Sequence, residues 1–400
     1  MAPLAPRRRS DAGGWEQEAD MLGNADIIRL TEFRRALHRR PELSGEEAET
    51  ARAVAAFLRP TGPDAVVAGL GGHGLAVIYD SGQPGPTVMI RAELDALPIE
   101  ETGTPAHRSQ VPGKAHLCGH DGHATILAGV GMVLGRARPA AGRAILLFQP
   151  AEEDGSGAAA VIADPRFAPL APDWVFALHN MPGLPRGAVA LAPGPANCAS
   201  LGLRVVLTGR TAHASNPETG VAPTACIAAL LSDLPRLAPA SGDDFRLVTL
   251  CHTRIGAPAF GISPGEAELW LTLRTVTDAA LTTLEADLRA TVQRLAAQDG
   301  LGCAFTVHDH FQACSNDPDA TRHLANAARA AGLPPAAFDH PMRASEDFGR
   351  FGRHGRSAMA LLGAGTDLPM LHNPDYDFPD DLIAPGVALF TQVLDETLGR

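Results

Sequence analysis

No apolar run in the sequence is long enough to span a bilayer. The longest, Ala124 to Gly135, falls short of the ~18 residues a membrane helix needs and reads as a buried helix. A basic excess is missing too, with 33 Lys+Arg against 45 Asp+Glu and a formal net charge of −12. Nucleic acid and anionic lipid both rely on clustered Lys and Arg, so neither is expected as a partner. The start carries Arg7, Arg8 and Arg9 but then Asp11, Glu16, Glu18 and Asp20, with no apolar h-region and no small-residue cleavage site. No secretory or twin-arginine signal is therefore expected, and residues 1–24 read as a flexible extension. Cys118, Cys198, Cys226, Cys251, Cys303 and Cys314 follow no pairing pattern, which predicts a reduced, cytoplasmic setting rather than a disulfide framework. There is no internal repeat.

What is present is globular composition: 400 residues, 45% hydrophobic and 20% charged, with Gly 41 and Pro 33 marking many turns. At roughly 150 residues per domain, two or three domains are expected. Helical patterns run from Ile27 to near Pro41 and from Gly45 to Leu58, then over 121–135 and 155–163. Between them, Gly74–Tyr79, Thr87–Ile90, Ala144–Phe148 and Trp174–Leu178 are short apolar runs bounded by Gly, Pro or charge, the look of buried strands. Strands alternating with helices predict an α/β layer with a mixed, largely parallel sheet whose ligands gather at the carboxyl ends of strands. After about Leu191 the order becomes strand (Leu201–Leu207), helix (221–238), strands (Arg246–His252 and Ala267–Arg274), helix (278–298) and strand (Cys303–His308). That βαββαβ order is the ferredoxin-like unit. A helix over 319–331, an apolar run Ala358–Leu362 and a helix over 384–397 then return to the first sheet, so residues 195–311 read as a domain inserted between 25–194 and 312–400.

The densest chemistry is His116-Leu-Cys118-Gly-His120-Asp-Gly-His123. Sulfur and imidazole nitrogen at such intervals suit Zn²⁺ and the later first-row metals, although no second Cys/His pair follows at zinc-finger distance. A glycine-rich loop capping a helix at Asp121 is the alternative. Glu152, Glu153 and Asp154 follow the buried run Ala144–Phe148, where clustered carboxylates repel unless a cation lies among them; a solvated acidic turn is the other reading. His179 and Asn180 follow Trp174–Leu178, and His372 lies in a polar loop near the far end of the chain. Donors delivered from several strand ends of one sheet favour a metal centre.

Seven blocks carry a family resemblance. They are Arg35-Ala-Leu-His-Arg-Arg-Pro-Glu-Leu-Ser44, Arg91-Ala-Glu-Leu-Asp-Ala-Leu-Pro98, Cys118-Gly-His-Asp-Gly-His123, Phe148-Gln-Pro-Ala-Glu-Glu153, Leu178-His-Asn-Met-Pro182, Gly209-Arg-Thr-Ala-His-Ala-Ser215 and Leu371-His-Asn-Pro-Asp-Tyr-Asp-Phe378. In this order, from about residue 30 to the C-terminus, the sequence resembles the M20 metallopeptidase family, in its aminoacylase-like amidohydrolase branch that includes hippurate hydrolases and indoleacetyl-amino acid hydrolases. The resemblance implies a centre of two divalent ions (Zn²⁺, Mn²⁺, Co²⁺ or Ni²⁺) ligated by Cys118, His120, Glu153, His179 and His372, with Glu152 as general base and Asp95 orienting the ligands. Glu152 and Glu153 are expected on an extended segment, pointing opposite ways. The resemblance further implies that His213, from the inserted domain, reaches the active site of a second subunit in a homodimer or higher oligomer. It implies too that Arg274 grips a substrate carboxylate, with Asn180 and the position of Gly261 near the substrate.

The expected reaction is hydrolysis of an N-acyl amino acid to carboxylate and free amino acid. A dipeptidase or carboxypeptidase on the same scaffold differs only in what flanks the bond. Two departures from the family pattern stand out: Glu93 where the branch has Asp, and Gly261 in Gly261-Ile-Ser-Pro264 where relatives carry Asn. They motivate a third alternative, a binding protein that does not turn over, beside a thiol sensor centred on Cys118.

Overall fold

The computed structural model describes residues 22–238, 245–339 and 341–399, so most of the expected N-terminal extension lies outside the described residues. Two helices lead in. α1 (Asn24–His38) buries Leu30, Arg34, Leu37 and His38, and α2 (Ala48–Leu58) buries Thr50, Val54 and Leu58, the spacing that turns one stripe of a helix to the core. An antiparallel hairpin follows, β1 (Ala65–Leu70) and β2 (Gly74–Asp80), and then β3 (Thr87–Glu93). After it come α3 (His120–Arg136), β4 (Arg143–Gln149), α4 (Gly157–Ala163), β5 (Trp174–Pro182) and the short β6 (Val189–Ala190).

The chain then leaves this sheet through β7 (Gly194–Asn197) and builds β8 (Ala199–Thr208), β9 (Ala212–His213), α5 (Thr224–Leu237), β10 (Arg246–Ile255), β11 (Ile262–Ser263), β12 (Glu266–Thr275), α6 (Asp278–Gln298) and β13 (Gly302–Phe311). It returns through β14 (Cys314–Asn316), α7 (Pro318–Ala330), β15 (Arg356–Gly365) and α8 (Ile383–Leu398). β7 and β14 pair with each other, so the outgoing and returning segments are tied side by side.

The main sheet has seven strands in the order β1-β2-β4-β3-β5-β15-β6. Its centre, β4-β3-β5-β15, is parallel and its flanks are antiparallel, as expected of a mixed α/β layer. Successive residues alternate between two cores: Val77, Val88, Leu146 and Phe176 pack with α1, α3, α7 and α8, while Ile78, Met89, Leu147 and Val175 face α4 and the segment Asp347–Arg353. Burial on both faces explains why these strands read as continuous apolar runs. The inserted sheet is antiparallel throughout, ordered β10-β12-β8-β13, and buries one face against α5 and α6. The sequence reading passed over β1, whose residues are mostly exposed, and over the ribbon formed by β9 and β11. Among the described residues no helix is long and apolar enough to cross a membrane.

Candidate metal centre

The parallel strands end on one edge, and the chemistry-bearing residues follow those ends. Cys118 enters α3 through Gly119, whose φ of 97° lies in the left-handed region that glycine adopts freely. A Cβ at Gly119 would come within 2.3 Å of Asn180 Oδ1, so the turn accepts nothing larger without moving. His120 is thereby the first residue of the helix. After β4, Ala151 takes φ 51° and the chain enters a turn, which corrects the expectation of an extended Glu152-Glu153 segment. Both carboxylates instead join His120 in one group of donors. His179 lies on β5, and His372, at φ 67°, is held by its N–H donating to Leu117 O at 2.9 Å.

Donor atoms within 4.8 Å of one another link Cys118 with His120 and His179, and Cys118 again with Glu153 and His372. Cys118 belongs to both groups. His179 Nε2 lies 3.4 Å from Cys118 Sγ, His120 Nε2 3.8 Å from Glu153 Oε1, and His372 Nε2 3.6 Å from Glu153 Oε2. His120 Nε2 and Glu153 Oε1 are buried without a hydrogen-bond partner among the described residues, a costly arrangement for polar atoms unless something else binds them. The other ring nitrogens are occupied: His120 Nδ1 donates to Asp95 O at 2.9 Å and His179 Nδ1 to Asn180 O at 2.8 Å, leaving each Nε2 free to ligate. These residues fit a pair of cations.

Electrostatics supports the same conclusion. Burial, with Glu346, Glu153 and Asp347 nearby, holds the Glu152 carboxyl well above the usual range, and burial with Asp95 raises Glu153 to about 7 against the opposing pull of His120. Burial followed by the charges of Glu153, Glu152 and Glu93 pushes the Cys118 thiol up. Burial opposes the charging of His120, yet Asp95, Glu93 and Glu153 outweigh it and bring the ring to about 10. His179 is driven by burial to about 3 and stays neutral. Without a cation the centre must hold protons; a metal replaces them and restores thiolate and carboxylate.

A cleft of about 460 Å³ opens over the centre. One wall carries Cys118, Glu152, Glu153, His179 and His372; the other, from the inserted sheet, carries Ser200, Gly202, Thr272 and Arg274. Arg274 Nη1 donates to Arg343 O at 2.9 Å and Ser345 Oγ at 2.8 Å, so the guanidinium is fixed at the wall. Asp95 lies beneath, with Oδ2 accepting from Ser44 Oγ at 2.8 Å and Glu153 N at 2.9 Å. Asn180 is fully buried and does not line the cleft; it bonds His123 and Tyr376, each at 2.5 Å. Glu93 is equally buried, ion-paired to Arg91 and 2.8 Å from His123 Nδ1. His213 and the strand leading from Gly261 face each other on the β9–β11 ribbon, outside the lining of this cleft, and a Cβ at Gly261 would meet nothing within 4 Å. A more open hollow of about 740 Å³ lies by Asp173, Asp317, Arg353 and Arg356, but among the described residues no donor group gathers there. Donor chemistry, not volume, identifies the site.

The sequence reading missed Glu346 and Asp347. Arg91 bonds Glu346 at 3.0 Å and Asp347 at 2.7 Å, and all three are buried beside Glu152. An acidic pair directly preceding the buried Phe348 was the available signal.

An α/β layer that delivers Cys, His and Glu donors to one edge, under an inserted antiparallel sheet, defines the class of metal-dependent hydrolases of amide bonds. The comparisons agree. The model of peptidase family M20/M25/M40 matches residues 89–396, and the chain belongs to that family. It is 31% identical to an N-acetyl-L-cysteine deacetylase of Bacillus subtilis over 88% of this chain and 84% of the relative. A hippurate hydrolase of Campylobacter jejuni is 28% identical, covering 90% and 94%. The fold matches a crystal structure described as a dinuclear metal binding peptidase of Bacillus subtilis with TM-score 0.80 at 24% identity, over 94% of this chain and 99% of that one.

Proposed function

We propose that the chain hydrolyses N-acyl amino acids to carboxylate and free amino acid, with two divalent ions held by Cys118, His120, Glu153, His179 and His372. The observation that carries this reading is the convergence of those donors around the unpartnered His120 Nε2 and Glu153 Oε1. When bound, such ions acidify water and polarise a carbonyl. The mixed sulfur, imidazole and carboxylate set suits Zn²⁺, Mn²⁺, Co²⁺ or Ni²⁺. Glu152, buried and lining the cleft, takes the proton of the attacking water and returns it to the leaving nitrogen. Asp95 orients His120 through its carbonyl. Arg274, on the opposite wall, offers its guanidinium to the substrate carboxylate. The two named relatives, a deacetylase of N-acetyl-L-cysteine and a hippurate hydrolase, support this substrate class.

In the same reading residues 195–311 form a lid and dimerisation domain. The β9–β11 ribbon carries His213 beside the exposed Phe260 and Ile262, as suits a segment that enters the cleft of a second copy. The free thiols suit a cytoplasmic setting. The test is a panel of N-acyl amino acids and dipeptides assayed with Mn²⁺, Zn²⁺ and Co²⁺ before and after chelation. The proposal expects turnover that chelation abolishes and metal restores; a metal-independent activity, or none on any member, would overturn it.

A further inference from the structure

A second polar cluster, outside the lining of the cleft, lies between α1, the first turn of α3 and the segment after His372. At its centre is Arg34, wholly buried on α1. Its Nε lies 2.9 Å from Asp121 Oδ2 as an ion pair without a hydrogen bond, its Nη1 is 2.9 Å from His107 Nε2 and 3.5 Å from Asp380 Oδ1, and its Nη2 pairs with Asp377. His38 and His107 fill in the sides, His38 Nδ1 at 2.8 Å from Asp121 Oδ2 and His107 Nε2 at 2.9 Å from Asp377 Oδ2. The proposed reaction uses none of these groups.

Their connectivity is what matters. Asp121 directly follows His120, whereas Asp377 and Asp380 belong to the segment that carries His372. One guanidinium therefore joins two stretches of chain that bring donors to the centre from far apart in sequence. The two stretches differ in rigidity. His120 opens a helix of 17 residues fixed by its own backbone bonds, but between β15 and Asp380 the chain has no helix or strand. Backbone bonds anchor it at two points, His372 N–H to Leu117 O at 2.9 Å and Thr102 N–H to Pro374 O at 2.7 Å, and side-chain ties do the rest: Tyr376 to Asn180, the Phe378 ring against Gly122, and Arg34, which also lies 5.8 Å from the Phe378 ring centre. The guanidinium spans from Nε, in ion-pair contact with Asp121, to Nη2, which donates to Asp377, and an ammonium, as a point charge, cannot reach both at once.

We propose that Arg34 is a positioning residue of the metal centre, holding the His372 segment in register with the Cys118–His120 turn. This rests on the reading that these residues bind two divalent ions. The test titrates the metal-free protein with Co²⁺, followed by visible absorption and by competition with a chromophoric chelator, in wild type, Arg34→Lys, Arg34→Met and Asp377→Asn. Leu288→Ala, in the core of the inserted sheet, controls for a loss of stability alone. One of the two Co²⁺ equivalents is expected to weaken by about 10–100-fold in the Arg34 variants, the usual effect of removing support behind a ligand. The thiolate absorption of the other should persist, and Lys should not rescue. Asp377→Asn should weaken the same equivalent, which keeps the test decisive if Arg34→Met does not fold. Unchanged two-site binding in Arg34→Lys and Asp377→Asn would overturn the proposal. So would equal weakening of both sites in step with the melting temperature, as a purely structural tie predicts. A wild type that binds no Co²⁺ would remove the metal reading itself, and this inference with it.

Discussion

Loading the centre with metal should expel protons, and their number follows from the environment of each ligand. In the metal-free protein at pH 7 the Cys118 thiol is protonated, because burial and three carboxylates hold it up. His120 near 10 carries its second proton, and Glu153 near 7 is about half protonated. His179 near 3 is neutral, and burial also keeps His372 below the usual range. All five must be deprotonated at the ligating atom, so binding both ions should release at least two protons at pH 7, from Cys118 and His120, with Glu153 and the neighbouring Glu152 adding to that number. The sign follows: raising the pH removes the competing protons and strengthens binding. The overall constant for two ions should rise by roughly 10²–10³-fold per pH unit near neutrality, more steeply below pH 7 where Glu153 is fully protonated. Calorimetric titration in two buffers of different ionisation enthalpy counts the protons directly. Release of fewer than one proton per protein would refute the assignment of Cys118 and His120 as ligands in these surroundings.

Glu152→Gln should keep both ions and lose turnover by roughly 10²–10⁴-fold, the usual worth of general acid–base catalysis; a fall in kcat of less than about threefold would move the base elsewhere. Arg274→Ala should raise KM for free-acid substrates more than for their carboxamides, and equal effects on both would exclude carboxylate recognition by this residue. Mixing inactive Glu152→Gln with inactive His213→Ala subunits should restore activity if the ribbon completes a neighbour's cleft; verified subunit exchange without recovery contradicts that arrangement. Gly119→Ala, strained by its φ of 97° and by Asn180, should lower metal affinity as well as melting temperature. For His38, burial resists charge but Asp121 and Glu101 raise the ring to about 9. The resulting stability is complete below about pH 6.5 and lost as pH rises through 9, and His38→Gln should flatten that part of the stability curve.

Most of the main sheet was legible because its parallel strands, buried on both faces, leave unbroken apolar runs such as Ala144–Phe148 and Trp174–Leu178. Four of the five donors were legible because they follow such a run or lie beside the glycine that opens a helix, whereas His372, in a polar loop, was legible as a ligand only through the family resemblance. What was hidden depends on contacts distant in sequence. Nothing near Arg91 announces that it pairs with Glu346 and Asp347, and nothing near Arg34 announces Asp377. The turn at Ala151 was hidden for a different reason: a positive φ at alanine has no local signature, and only the packed site sustains it. The resemblance implies Asn180 near the substrate, but alternation along β5 turns it inward to Tyr376.

The central claim is that five side chains from four segments hold two ions around a shared Cys118. Anomalous diffraction from crystals loaded with Co²⁺ or Zn²⁺ tests it most directly, because it locates ions without depending on activity. The account predicts two peaks, both within ligand distance of Cys118 Sγ, one also touching His120 and His179 and the other Glu153 and His372. A single peak, or ions seated instead at the Glu93–His120–His123 or Glu152–Glu346–Asp347 groups, would contradict it.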